Sequence, residues 1–138
     1  MTERITTNEE YLQFLDRFYQ FYDSVFRSIS IHFLSDGTQT IDLVVSTRDS
    51  LLEDDDEGWV CIVITIEKVK ETLISKKPKT SIQVISQGIH LAIYENLVGM
   101  EFGGAIDPPS SLDVLRQSEA YILGENILFE VFPYETKK

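Results

Sequence analysis

The sequence predicts an α+β domain: an N-terminal amphipathic helix packed on a strongly curved antiparallel sheet, sandwich or open barrel, of about seven or eight strands. Three observations predict it. Apolar residues repeat at helical spacing only near the N-terminus, they alternate with a period of two from about residue 25, and turn signals separate the later runs at hairpin distances. At 138 residues the chain suits one domain, 1–138, able to bury about two thirds of its unfolded surface. Hydrophobic residues at 43% and charged residues at 25% give the balance of an ordered globular chain rather than a disordered one.

The helix is expected over about 8–22. Thr7 and Glu10 have the spacing of a capping box, and Glu9 and Glu10 suit the positive end of the helix dipole. Tyr11, Leu12, Phe14, Leu15, Phe18, Tyr19 and Tyr22 then recur every three or four residues, with Asp16, Arg17 and Gln20 on the opposite side. Strands are expected over about 25–132. Ile29, Ile31 and Phe33 alternate with Ser28, Ser30 and His32, and Ile41, Leu43 and Val45 alternate beyond Asp36-Gly37. Two alternating runs around Asp-Gly predict a hairpin with one wet face. The run Trp59–Ile66 is apolar everywhere except Thr65, which predicts a strand covered on both faces, with the helix over one of them. Residues 80–86 and 89–94 read as strands around Gly88. Residues 97–102 follow a turn at Glu95-Asn96, and 103–111, with two Gly and two Pro, form an irregular loop. Tyr121–Leu123 and Ile127–Phe132 make the last hairpin, leaving 133–138 as a frayed tail.

Net charge is −11, and its distribution is uneven. Residues 1–67 hold 14 acids and 4 bases, 68–79 hold five Lys and one Glu, and 80–138 hold 8 acids and 3 bases. Such a field repels nucleic acid and anionic membranes, so the sequence predicts neither as a partner and favours a basic one. The five lysines, Lys68, Lys70, Lys76, Lys77 and Lys79, have no interleaved aromatics and fit a solvated connection or edge protection better than a nucleic-acid surface. The polar, acidic N-terminal stretch has no apolar core, and no run approaches the roughly 20 apolar residues of a membrane span. The single Cys61 rules out an intrachain disulfide and reads as a small buried hydrophobe. A cytoplasmic protein is expected.

The run Glu53-Asp54-Asp55-Asp56-Glu57 invites a metal reading, because a calcium loop needs oxygens at positions 1, 3 and 5, Gly at 6 and Glu at 12. Counted from Glu53, Asp55, Glu57 and Gly58 fit, but position 12 is Ile64 in a predicted strand, so the closing ligand is missing and no metal is expected. His32 and His90 sit on the polar faces of predicted strands as rim residues, able to meet only if those strands lie side by side, with no third ligand spaced to help. There is no nucleophile elbow and no phosphate-binding loop. No catalytic residue and no cofactor are expected. Asp23, where the helix hands over to the first strand, reads as a local acceptor of backbone amides. Trp59 reads as an anchor in the core or at a binding rim.

The order of an aromatic helix leading into "FYDSVFRSISIHF", then "GWVCIVITIEKV", "ISQGIHLAI" and a terminal "SEAYILGENILFEV" resembles small bacterial domains of mostly β structure, among them immunity proteins of polymorphic toxin systems. The resemblance spans most of the chain, in pattern more than in motif. It implies a protein that binds a cognate toxin and blocks it.

The expectation is therefore a non-enzymatic protein-binding domain, immunity-protein-like, that meets a basic partner such as a toxin nuclease through Glu53, Asp54, Asp55, Asp56, Glu57 and Trp59. Two alternatives stand beside it. One is a small-ligand-binding or enzymatic domain with an aromatic pocket inside the curved sheet, closed by the 103–111 loop. The other is a structural or oligomerisation module.

Overall fold

Thr7 opens the helix as its spacing implies. In the computed structural model, which describes residues 2–52, 58–74, 84–85, 88–103 and 107–134, the Thr7 hydroxyl accepts from the Glu10 amide at 3.1 Å. The Glu10 carboxylate accepts from the amides of Thr6 and Thr7 at 2.8 and 3.2 Å. Thr7 and Glu10 thus satisfy each other's amides reciprocally, as a capping box does. Helix α1 (Asn8–Arg17) buries Tyr11, Phe14 and Leu15, continued by Phe18.

The helix ends five residues before the expected Tyr22. Its successor is a left-handed turn, with φ of 56°, 60° and 62° at Tyr19, Gln20 and Phe21. Tertiary bonds take over from helical ones there: Gln20 O accepts from the Ile89 amide at 3.0 Å, and the Asp23 amide donates to Ile85 O at 2.8 Å. Phe18 and Phe21 are both fully buried, whereas Leu12, Tyr19 and Tyr22, counted in the expected apolar stripe, are exposed.

Ten strands are found among the described residues: β1 (Glu3–Ile5), β2 (Ser24–Phe33), β3 (Gln39–Arg48), β4 (Trp59–Glu67), β5 (Glu71–Ile74), β6 (Val84–Ile85), β7 (His90–Tyr94), β8 (Leu97–Glu101), β9 (Ala120–Gly124) and β10 (Asn126–Pro133). They form two open antiparallel sheets, ordered β1-β10-β4-β3-β2-β6 and β5-β9-β8-β7. The mostly antiparallel β class agrees with the sequence; the strands do not close into a barrel. β1 and β5 are additions, one too short to show a period and one inside the lysine-rich segment. Of the expected strand 80–86, only Val84 and Ile85 are described.

The sheets meet at a corner. β4 runs on into β5 and β9 into β10, so one antiparallel ribbon passes from sheet to sheet. Across the bend, the Lys70 amide donates to Leu123 O at 2.7 Å and the Glu125 amide to Glu67 O at 3.0 Å. Gly124 permits this approach, because a Cβ there would stand 2.6 Å from Ile66 Cγ2 and 2.9 Å from Glu67 O.

A single core joins α1 to the inner faces of both sheets. Ile41, Leu43, Ile62 and Ile64 of the larger sheet pack with Met100 and Ile122 of the smaller one and with Phe14 and Phe18 of α1, and Phe14 lies 4.6 Å from Phe129 between ring centroids. The outer face of the smaller sheet has its own cover. There α2 (Leu112–Leu115), started by Ser111 accepting from the Val114 amide at 3.2 Å, packs Leu115 and Leu112 with Tyr121, Leu123, Tyr94 and Leu97. This helix lies just past the loop that the sequence left irregular; Gly104, Ala105 and Ile106 of that loop are outside the described residues.

The outer face of the larger sheet differs. Val63 and Thr65 of β4 pair with Val44 and Asp42 of β3 and with Glu130 and Leu128 of β10. Val44, Val63 and Leu128 are only partly buried and belong to neither apolar cluster. β4 was expected to be covered on both faces. On the inner face Ile62 and Ile64 share one core with Phe14 of α1, with Phe18, and with Met100 and Ile122 of the smaller sheet, and the outward residues are shielded in part by their own cross-strand neighbours.

Candidate functional site

Of the residues expected to meet a partner, Glu53, Asp54, Asp55, Asp56 and Glu57 lie outside the described residues, and Trp59 lies within them. What is described is the platform on either side of the acidic run. Its centre is Asp49, 1% exposed. The Asp49 amide donates to Gly58 O at 2.7 Å, and Asp49 O accepts from the Leu52 amide at 2.9 Å. The two ends of the segment carrying the acids are therefore tied together through one residue.

The Asp49 carboxylate is held in turn by Arg17, in the last turn of α1. Arg17 Nε donates to Oδ1 at 3.0 Å and Nη2 to Oδ2 at 2.8 Å, while the Leu51 amide donates to Oδ1 at 3.0 Å. Burial is the largest influence on this carboxyl and pushes its pKa up. The bonds from Arg17 and Leu51 and the charge of Arg17 outweigh it, leaving the group below the ordinary aspartate value. The Arg17 guanidinium also lies 4.8 Å from the centre of the Phe18 ring and 3.9 Å from a Glu3 oxygen. One ion pair thus gathers α1, β1 and the end of β3.

Beside this clasp, Arg48 and Trp59 face each other across β3 and β4. The Arg48 guanidinium is 5.6 Å from the centre of the Tyr19 ring and 6.0 Å from that of Trp59. Tyr134 follows Pro133, the partner of Val60, and its ring is 6.0 Å from Trp59. Residues from four separate parts of the chain therefore line up as Tyr19, Arg48, Trp59, Tyr134. Tyr19 is 43% exposed and Tyr22 51% exposed, and Leu51, two residues before the run, is 68% exposed. Tyr134 was expected in a frayed tail; the sheet carries it as far as Trp59.

The left-handed turn that presents Tyr19 costs about 1–2 kcal/mol per residue relative to ordinary helical backbone. It is held by the buried rings of Phe18 and Phe21, 5.5 Å apart, each within 5.4 Å of Phe14. Gly88 makes the fit possible. It has φ +81°, and a Cβ on it would stand 2.4 Å from Gln20 O, closer than any side chain allows. Strain of this kind gathers where a protein must present a particular surface.

The other expected residues are dispersed. His32 Nε2 lies 3.1 Å from Asp42 Oδ2, and Asp42 also accepts from the Thr65 hydroxyl at 2.7 Å. His90 is partly buried rather than at a rim, with Nε2 4.0 Å from Glu101 Oε1. Glu101 Oε2 accepts from the Gly103 amide at 2.7 Å and the Ser118 hydroxyl at 2.8 Å. The histidines belong to strands of different sheets, so those strands do not lie side by side. Asp23 itself adopts φ +59°. Cys61 is partly buried on the outward face of β4. Among the described residues no group of three His, Cys, Asp or Glu converges as a metal site, and no helix is long and apolar enough to cross a membrane.

Sequence reasoning missed Arg17, Asp49, Arg48, Tyr19 and Tyr134. Arg48 and Asp49 end an alternating strand with two charges, a weak sign that one of them turns inward. Compared with protein-family models, curated proteins and solved structures, the chain matches none of them.

Proposed function

We propose that this chain is a non-enzymatic, cytoplasmic protein-binding domain that docks a basic protein partner at the Trp59 end of its larger sheet, beside Glu53–Glu57. By the resemblance noted above, neutralising a basic toxin such as a nuclease is the role we assign to it. The observation that carries the reading is the clasp of Arg17, Asp49 and Gly58. Through Asp49 it ties Leu52 and Gly58, the residues that flank the most acidic stretch of the sequence, to α1, next to exposed Leu51 and Tyr19. Apolar and aromatic groups ringed by charge are the usual composition of a docking surface. A pocket between the sheets has less support, because Ile41, Leu43, Ile62, Ile64, Met100 and Ile122 occupy that space without solvent exposure.

The test is association with the proteins encoded by the genes flanking this one, each followed at about 0.05 M and about 0.5 M salt. Replacing the five acids by their amides should slow association roughly tenfold or more at low salt and change dissociation little. Unchanged association kinetics would remove the acidic run from the interface. A chain that instead pairs with a second copy of itself would favour the oligomerisation alternative.

A further inference from the structure

We infer that the row Tyr19, Arg48, Trp59, Tyr134 is an arginine-reading surface, so that the partner's contacting segment is rich in arginine rather than lysine. The inference rests on the basic-partner reading and adds a chemical preference to it.

The row already holds a cation. A guanidinium, that of Arg48, lies within 6.0 Å of two aromatic centres, and the next ring continues the series at 6.0 Å. One guanidinium thus already sits beside the Tyr19 and Trp59 rings, and Tyr134 adjoins Trp59 at an interplanar angle of 48°. The row ends on Tyr19, which is exposed, with exposed Tyr22 three residues beyond. An arginine from outside extends the same alternation there. Lysine is drawn by the same charge, but its compact, strongly hydrated ammonium does not stack as a plane. Trp, Tyr and Arg are also the residues most enriched where interface energy concentrates.

Two further observations point the same way. The chain holds Tyr19 at φ +56°, a conformation that only the surrounding packing maintains, so the ring's position is imposed rather than incidental. The charge is complementary as well: the chain carries −11, and Gly58, which precedes Trp59, directly follows the acidic run. The acids attract cations of either kind, and the rings choose between them.

Trp59 is the only tryptophan, so its emission reports the row directly. The intact chain is titrated with oligoarginine, oligolysine of equal length and a neutral Gly-Ser peptide, following emission and, independently, heat of binding. Oligoarginine should bind about fivefold or more tighter than oligolysine and change Trp59 emission, with no response to the neutral peptide. Tyr19→Leu and Tyr22→Leu should each reduce the arginine preference towards unity while leaving oligolysine binding in place. Equal affinities for the two cationic peptides in the wild-type chain, or an arginine preference that survives in both variants, overturn the arginine inference and leave the basic-partner reading standing. Failure of both cationic peptides to bind at low salt overturns the two together.

Discussion

Replacing Asp49 by Ala removes a carboxylate that accepts three N–H bonds, two from Arg17 at 3.0 and 2.8 Å and one from the Leu51 amide at 3.0 Å. The substitution leaves the Arg17 side chain, 24% exposed, between the Phe18 and Phe129 rings without its main counter-charge. Breaking a buried pair from one side costs about 3–5 kcal/mol. The remaining exposure of Arg17 and its contact with Glu3 at 3.9 Å place this case near the lower end, about 3 kcal/mol. For a chain of this size that corresponds to a fall in Tm of roughly 10 °C. The assay is urea and thermal unfolding followed by circular dichroism. Arg17→Met alone should cost a similar amount, and the double variant less than the sum, with a coupling of about 2 kcal/mol. The pH dependence has a defined sign. Asp49 is held below its ordinary value when folded, so its contribution is complete above the unfolded value of about 4 and is lost as pH falls through the lower folded value. Asp49→Asn should flatten that acid limb. A loss under about 0.5 kcal/mol for Asp49→Ala, or simple additivity in the double variant, would refute the clasp as an anchor.

The remaining expectations concern the turn, the sheet faces and the cap. Gly88→Ala forces a Cβ to 2.4 Å from Gln20 O at φ +81° and should cost about 2–3 kcal/mol, with altered near-ultraviolet dichroism from the Tyr19 turn. Ile64→Ala, on the inner face of β4 with no exposure, should cost about 2–5 kcal/mol, whereas its neighbour Val63→Ala, partly buried on the outer face, should cost under about 1.5 kcal/mol; equal losses in urea midpoints would contradict the assignment of faces. Thr7→Ala should cost about 1 kcal/mol by removing the capping box, read in the same assay.

Features encoded by neighbours in the chain were legible, and features made by distant ones were not. The start of α1 is set by Thr7 and Glu10 alone, three residues apart, and could be read directly. The β2–β3 hairpin is likewise local: the Asp36 carboxylate accepts from the Thr38 amide at 2.9 Å and Gly37 takes φ +91°. The end of α1 was misread because Tyr19 and Tyr22 keep the helical apolar spacing while Ile85 and Ile89 redirect the backbone. β4 was misread for a related reason. An apolar run reports that water is partly excluded, and Val44 and Leu128 beside Val63 and Thr65 do that without a second layer. For the site, Trp59 stood out as the single tryptophan beside a charge run. Arg17 and Asp49 are 32 positions apart; Tyr19 and Arg48 stand beside them in sequence, and Tyr134 comes from the far end of the chain. No spacing rule connects them; the sheet register does.

The central claim is that a basic partner docks at the Trp59 end of the larger sheet. Amide hydrogen exchange on the chain, free and bound to whichever basic protein associates with it, tests this most directly. Exchange should slow at Tyr19–Asp23, Arg48–Leu52 and Gly58–Cys61 and stay unchanged over β7, β8 and α2. Slowing confined to β7, β8 and α2, with the Trp59 end unaffected, would contradict it.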